Sequence, residues 1–136
     1  MTKSYPELKN VIFQKRISKI LEKHKVFFAF SGLQLVAGLK KINEKKENVT
    51  SLGSGQILPK ANVSAYLDEM LEASGWFNNE VKKLDANSVI RYELNNYECY
   101  YTGDITDALD VLKNYGLTSD QVSAVYHNKN AVISWN

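Results

Sequence analysis

The sequence predicts an α+β fold, a single domain in which a small sheet of about three to four short strands packs against five to six helices. Two observations support this class. Apolar residues recur at helical spacing in several segments, some of them preceded by capping signatures, and short apolar or aromatic runs bounded by turn residues stand between those segments. A length of 136 residues with 44% hydrophobic and 24% charged content is that of an ordinary globular domain, so we expect one domain over residues 1–136.

The first part of the chain is predicted to be helix, strand and helix. Pro6 suits a first helical turn, and an apolar period continues from there to about Lys23. Val26 to Phe30 is too short for a helix and predicts a buried central strand. Ser31 and Gln34 form a capping-box signature that opens a second helix. Its predicted inward positions are Leu35, Val36, Leu39 and Ile42.

The middle of the chain changes composition and then returns to a helical period. Residues 48–60 are rich in Thr, Ser, Gly and Pro, which predicts a mobile loop or a hairpin. Asn62 is a suitable cap for the longest periodic segment, which we expect to be helical to about Val81.

Residues 86–105 are harder to assign. Ala86 to Asn96 fits either a short helix or a strand, and we favour the helix. Glu98 to Thr102 is then predicted as a strand, and Asp104 as the cap of the next helix.

The last part of the chain has clearer signals for helix ends. Gly116 is predicted to end the helix that Asp104 begins, and Thr118 with Gln121 forms a second capping box. Ala131 to Trp135, after a polar turn, is predicted as a final strand.

Charge is divided unevenly along the chain. The formal net charge is only +2, but residues 1–60 hold twelve basic against four acidic side chains, and the remainder holds five basic against eleven acidic ones. Such a chain can present two oppositely charged faces, can attract nucleic acid or an acidic protein, or can pair its halves internally.

Several classes of function find no support in the sequence. One cysteine makes no internal disulfide, and no apolar run reaches the roughly 18 residues of a spanning helix, so we expect a cytoplasmic protein without a membrane segment. No residue spacing predicts a metal site or a cofactor. Cys99 is expected to be an inert strand cysteine, and His24 to be exposed at a helix end.

The densest group of recognition residues lies between Tyr92 and Asp104. In the predicted strand, Glu98, Tyr100 and Thr102 point to one face, with Asn96 and Asp104 at its two ends. Such a face suits a polar ligand or a basic peptide, since tyrosine is a favoured anchor at interfaces.

Two further segments are candidate binding sites. Gly53, Gly55 and Lys60 have the ingredients of an anion nest, although a flexible hairpin is the simpler interpretation. A basic stripe on the first helix is a candidate nucleic-acid-binding surface. Its members are Lys9, Arg16, Lys19 and Lys23.

Three strings of residues resemble a known group of proteins. They are Phe27-Phe-Ala-Phe-Ser31, Leu52-Gly-Ser-Gly-Gln-Ile-Leu-Pro-Lys60 and the segment Tyr92 to Asp104. In this order they resemble a family of small uncharacterised proteins carried by bacteriophages and mobile elements. An Asn-His-Glu triplet in the relatives corresponds to Asn96, Tyr97 and Glu98, so Tyr97 departs from the pattern. The resemblance implies a genetic context and no activity.

These observations favour a small phage-type binding protein that inhibits a host defence or regulatory factor by stoichiometric contact with a host protein. One alternative is a small enzyme or ligand-binding protein in which Asn96, Glu98 and Asp104 face an anionic substrate beneath the 53–60 loop. The second is nucleic-acid binding through the basic stripe. An activity without catalysis is favoured, and the oligomeric state, including a homodimer, is left open.

Overall fold

The computed structural model describes residues 3–135 and confirms the α+β class. Three strands, β1 (Phe27–Phe28), β2 (Val49–Gly53) and β3 (Gln56–Pro59), form an antiparallel sheet in the order β1-β3-β2. The helices are α1 (Tyr5–Glu7), which continues through a π-helical turn (Leu8–Ile12) into α2 (Phe13–Lys23), then α3 (Gly32–Ile42), α4 (Val63–Val81), α5 (Ala86–Asn96), α6 (Cys99–Thr102), α7 (Thr106–Leu112) and α8 (Ser119–His127).

The described chain forms two compact units. Residues 14–74 make up the sheet unit, and residues 3–13 with 75–135 make up the helical unit. One domain over residues 1–136 stays a prediction.

The sheet unit is organised around β3. Leu58 on this strand is fully buried, and both other strands pair with it. The prediction that residues 26–30 form the central strand is wrong, because β1 is two residues long and lies at the edge of the sheet. With so short a strand there is little backbone to pair on two sides.

The segment 48–60 folds as the β2–β3 hairpin, which begins after a 3-10 turn at Lys46–Asn48. Ser54 and Gly55 form its two-residue turn, with φ of 52° and 78°. Positive φ at both central positions is the geometry of a type I′ turn, which matches the twist of the paired strands. The mobility predicted for this segment stays a prediction.

Helix α2 ends where the backbone reverses into the left-handed region. Lys25 has φ of 58°, and the amide of Val26 donates to the carbonyl of Leu21 at 2.9 Å, which satisfies a carbonyl of the last turn. The prediction that His24 is exposed is wrong. Its ring is buried and bonds to Glu69, whose pKa is held below its usual value by hydrogen bonds from Lys23 and His24.

The core of the helical unit lies among α5, α7 and α8, with Tyr5 and Leu8 packed against it. Helix α5 confirms the helical interpretation of residues 86–96, since Val89, Ile90 and Leu94 lie fully buried on one side. Thr118 and Gln121 form the predicted capping box, and Gly116, with φ of 84°, ends the segment that α7 opens. Capping and helix-ending residues in the sequence therefore located these boundaries.

Residues 98–102 are not a strand. Glu98 takes a left-handed conformation with φ of 53°, and the amides of Thr102 and Gly103 then donate to the carbonyls of Glu98 and Cys99 as a single helical turn. The alternating residues of this segment therefore do not share a face.

The predicted final strand at residues 131–135 is also wrong. The Asn87 side chain donates to the carbonyl of Ala131 and accepts from the amide of Ile133 at 3.0 Å. Gln121 Nε2 donates to the carbonyl of Ser134 at 3.1 Å, and Trp135 Nε1 donates to the carbonyl of Leu84 at 2.7 Å. The tail is bound by side chains, so its backbone groups find partners without a sheet.

Candidate binding surface

A group of apolar side chains stands exposed on the sheet unit. Phe30 is 74% exposed, Leu33 86% and Val36 64%, and Phe28 on β1 is about half exposed. All four lie within nine residues of sequence, on β1, at the start of α3 and between them. We call them the β1–α3 face.

Close packing next to these side chains holds the face in place. Gly38 on α3 leaves room for the Phe27 ring, since a Cβ at this position would collide with it. The Phe30 ring lies against Gly55 in the hairpin turn, and the Phe30 amide donates to Gln34 Oε1 at 2.7 Å. The Ser31 hydroxyl caps α3 by accepting from the Gln34 amide. Helix and strand thus meet where glycine permits a close approach.

A shallow groove of about 520 Å³ runs beside the face, lined in part by Phe27, Phe28 and Lys41. Lys40 follows Leu33 by seven residues and Val36 by four, so the three share one side of α3. Lys25 and Lys41 line a second groove, of about 460 Å³, which also contains Phe27 of β1 and one carboxylate, that of Glu22. The apolar face is therefore bordered by lysines.

The sequence pattern predicted burial for most of this face. Residues 26–30 were predicted as buried, and Val36 was assigned to the inward side of its helix, whereas Val36 is mostly exposed. The available signal is Leu33, which falls outside the period set by Leu35, Leu39 and Ile42. A large apolar residue outside the buried period of a helix does not pack against the rest of its own chain, so it stays exposed.

The five residues predicted between Asn96 and Asp104 are all exposed, but none of them lies on a strand. Asn96 ends α5, whereas Tyr100 and Thr102 belong to the single turn of α6. Asn96 Nδ2 donates to Glu93 Oε1 at 3.2 Å, and the Tyr100 ring stacks on Tyr126 at a centroid distance of 5.1 Å.

The two remaining members, Thr102 and Asp104, organise the turn that leads into α7. The hydroxyl of Thr102 accepts from the amide of Asp104, whose carboxylate accepts from the amide and the hydroxyl of Thr106. The hydrogen bonds from Thr106 hold the pKa of Asp104 below its usual value. A binding role for the five residues stays a prediction.

The residues of the predicted anion nest lie in the β2–β3 hairpin and directly after it. Gly53 and Gly55 shape the hairpin turn, and Lys60 begins a 3-10 turn (Lys60–Asn62) ahead of α4. They belong to the sheet unit, whereas Asn96, Glu98 and Asp104 belong to the helical unit.

The basic stripe is partly neutralised. Lys9 lies in the π-helical turn and bonds to Glu93, and Lys23 bonds to Glu69 Oε1 at 2.5 Å. Arg16 has a partner, and Lys19 is exposed. Two lysines of the basic half thus pair with acids of the other half inside their own units.

A buried polar cluster in the helical unit was missed by the sequence analysis. Glu93 is fully buried on α5, and its Oε2 accepts from the Tyr5 hydroxyl at 2.6 Å and from Lys9 Nζ at 2.5 Å. Because Tyr5 gives its one proton to Glu93, the Tyr115 hydroxyl donates to Tyr5, at 2.8 Å. Glu93 follows Val89 by four residues and Ile90 by three, and this position on the apolar side of α5 was the signal.

Burial determines how the tyrosines of this cluster ionise. It raises the pKa of Tyr5, as does the hydrogen bond to Glu93, and it raises the pKa of Tyr115 to about 12. Both phenols are therefore neutral at physiological pH and act as hydrogen-bond donors. Burial also raises the pKa of the Cys99 thiol, with Asp104 and Asp107 adding to the effect.

Within residues 3–135, no group of three or more His, Cys, Asp or Glu side chains is arranged to hold a metal ion. Over the same range, no helix is both long and apolar enough to cross a membrane.

The described residues therefore form an α+β fold that exposes an apolar face on its sheet unit. Residues 9–135 match a family of unknown function, DUF7659, and the chain belongs to that family. No curated protein and no solved structure matches the chain.

Proposed function

We propose that the chain is a stoichiometric protein-binding domain, and that its β1–α3 face receives an acidic segment of a partner protein that carries apolar side chains. The observation that carries this proposal is the exposure of Phe28, Phe30, Leu33 and Val36 within one short stretch of sequence.

The energetics support a partner on this face. Single exposed apolar residues are ordinary, but contiguous exposed patches on a monomer mark interaction sites. Fully burying one such side chain contributes about 1.5–3 kcal/mol, so covering two or three of them suffices for an anchor of an interface.

Charge defines the class of partner. Lys25, Lys40 and Lys41 border the face and its grooves, and none of them has an ion pair with an acidic side chain in the described part of the chain. Carboxylates on the partner would gain from this positive border mainly in association rate and in specificity.

The identity of the partner as a host defence or regulatory factor is part of the same proposal. It is supported by the resemblance of the chain to small phage and mobile-element proteins, which is an analogy and independent of the fold. The gene neighbourhood and capture of host proteins on the immobilised chain test it.

The experiment compares captured proteins for the wild type and for Leu33→Asp. Leu33 is almost fully exposed in the first turn of α3, where an acidic residue suits the helix dipole, so this substitution leaves the fold intact. Val132→Asp, at an equally exposed apolar position in the helical unit, is the matched control. We expect a protein that is captured by the wild type and the control but lost with Leu33→Asp.

Two results would overturn the proposal. One is capture of the same proteins by Leu33→Asp at wild-type levels. The other is a concentration-dependent dimer of the purified wild type that Leu33→Asp converts to a monomer, because the face would then bind a second copy of the chain.

A further inference from the structure

A separate cleft of about 430 Å³ opens in the helical unit, near the N-terminal ends of α1 and α5. This volume is within the range of small-molecule sites, about 300–1,000 Å³. The cleft is lined by Pro6, Leu84 and Val89 together with the rings of Tyr5 and Tyr92, so its interior is mostly apolar.

The aromatic walls are held rigidly. Tyr5 and Tyr92 pack edge to face with centroids 5.3 Å apart. The Tyr5 hydroxyl donates to the buried Glu93, and the Tyr92 hydroxyl accepts from Asn10 Nδ2 at 3.0 Å. A ligand packed against the Tyr92 ring would order few side chains on binding, which lowers the entropic cost of association.

The polar lining is dominated by cations. Lys3, Lys83 and Arg91 line the cleft, against the single carboxylate of Asp85. Asp85 is already engaged as the cap of α5, since its Oδ2 accepts from the amide and the hydroxyl of Ser88 at 3.0 and 2.8 Å. Glu80, outside the lining, holds Lys83 at 2.5 Å.

Arg91 is the best-placed group for a ligand. Its described hydrogen bond is a long one, 3.4 Å from Nη2 to the Ser88 hydroxyl, so most of the donors of the guanidinium remain available. A guanidinium binds a carboxylate or phosphate with two parallel hydrogen bonds.

From the apolar interior, the rigid rings and the cationic edge, we infer that this cleft binds a small organic anion, with an apolar body packed against Tyr92 and Pro6 and a carboxylate or phosphate monoester at Arg91. This site is independent of the β1–α3 face, because every lining residue belongs to the helical unit.

Phenyl phosphate is the probe, and amide chemical shifts of the full chain are the measurement. We expect saturable shifts in residues 84–92 at millimolar phenyl phosphate, and much weaker ones with benzylamine or inorganic phosphate. Arg91→Gln should weaken binding about tenfold, which corresponds to about 1.4 kcal/mol. Lys129→Gln, an exposed cation of the same unit outside the cleft, should leave binding unchanged.

The inference is overturned if residues 84–92 do not respond to the probe. It is also overturned if benzylamine or inorganic phosphate binds as tightly as phenyl phosphate, or if Arg91→Gln binds like the wild type with its wild-type spectrum retained. Leu33→Asp should not change the titration, so failure of this site and failure of the proposed function are distinguishable.

Discussion

Glu93 shows at the scale of one residue how a charge is kept in a core. Its carboxylate has lost all contact with solvent and is compensated by Tyr5, Lys9 and Asn96. A buried carboxylate is tolerated only when its hydrogen bonds are made, and removing one partner leaves the others unpaired.

Glu93→Ala should therefore destabilise the protein by about 3–5 kcal/mol, because Lys9 and Tyr5 lose their acceptor. Urea unfolding followed by circular dichroism measures the loss. The exposed Glu98→Ala serves as the control and should change the free energy of unfolding by less than about 0.5 kcal/mol. Equal effects of the two substitutions would show that the cluster does not stabilise the fold.

Tyr115 makes the free energy of unfolding fall at alkaline pH. Burial raises its pKa from 10.0 to about 12, so between these values the unfolded chain loses a proton that the folded chain keeps. The contribution is fully present below pH 10 and is lost as the pH rises through about 12. It amounts to about 2–3 kcal/mol for two pH units.

Tyr115→Phe should make this alkaline loss of stability less steep, with Tyr5, whose pKa is also raised, contributing the remainder. Tyr101→Phe, at a position 92% exposed, should leave the loss unchanged. The free energy of unfolding measured in urea at pH 9, 10 and 11 provides the comparison. A Tyr115→Phe protein that loses stability as steeply as the wild type would contradict this explanation.

At the scale of elements, the C-terminal tail depends on one amide side chain. Asn87 offers residues 131 and 133 one donor and one acceptor, in the way a neighbouring strand would. A buried backbone group without such a partner costs about 1–3 kcal/mol.

Asn87→Ala should release the tail while α5 stays folded. Hydrogen exchange at the Ile133 amide should accelerate, and Trp135, which is part-buried in the wild type, should shift its emission to the red. Asn95→Ala, at an exposed position on the same helix, is the matched control. Unchanged exchange at Ile133 in Asn87→Ala would show that packing alone holds the tail.

At the scale of the molecule, Cys99 reports on the core of the helical unit. It is fully buried, and burial raises the pKa of its thiol, so both access and thiolate formation are suppressed. The thiol should react with a disulfide reagent only as the unit opens, and the rate should rise with urea in parallel with unfolding. In a Cys99→Ser background, Tyr101→Cys should react fast without urea. Fast labelling of Cys99 in native buffer would contradict its burial.

The elements that sequence reasoning placed well are those with local physical signatures. The capping residues Ser31 and Thr118 and the glycine at 116 act within a few residues of sequence, so their pattern locates helix ends without knowledge of the fold. The strands predicted at residues 98–102 and 131–135 failed because the partners that satisfied those backbones, a helical turn and the side chains of Asn87 and Gln121, are not visible in local pattern.

The candidate sites divide in the same way. The exposure of Asn96 and Glu98 agrees with a polar surface. Three residues of the β1–α3 face, Phe28, Phe30 and Val36, were predicted as core, because a local apolar pattern predicts burial without information on tertiary neighbours. The cleft near Arg91 joins the ends of segments about 80 residues apart, and no spacing within one segment predicts it.

The sequence by itself determined the α+β class, the helix caps at Ser31 and Thr118 and the division of charge, because propensity, period and capping are local. The predicted caps Asn62 and Asp104 are wrong, since Asn62 lies within a 3-10 turn and Ile105 occupies the cap position of α7. Only the tertiary structure decided which apolar residues stay exposed, that Glu93 is buried against Tyr5 and Lys9, and that the tail is bound by side chains. These outcomes depend on contacts between residues distant in sequence, where burial and hydrogen-bond satisfaction override local preference.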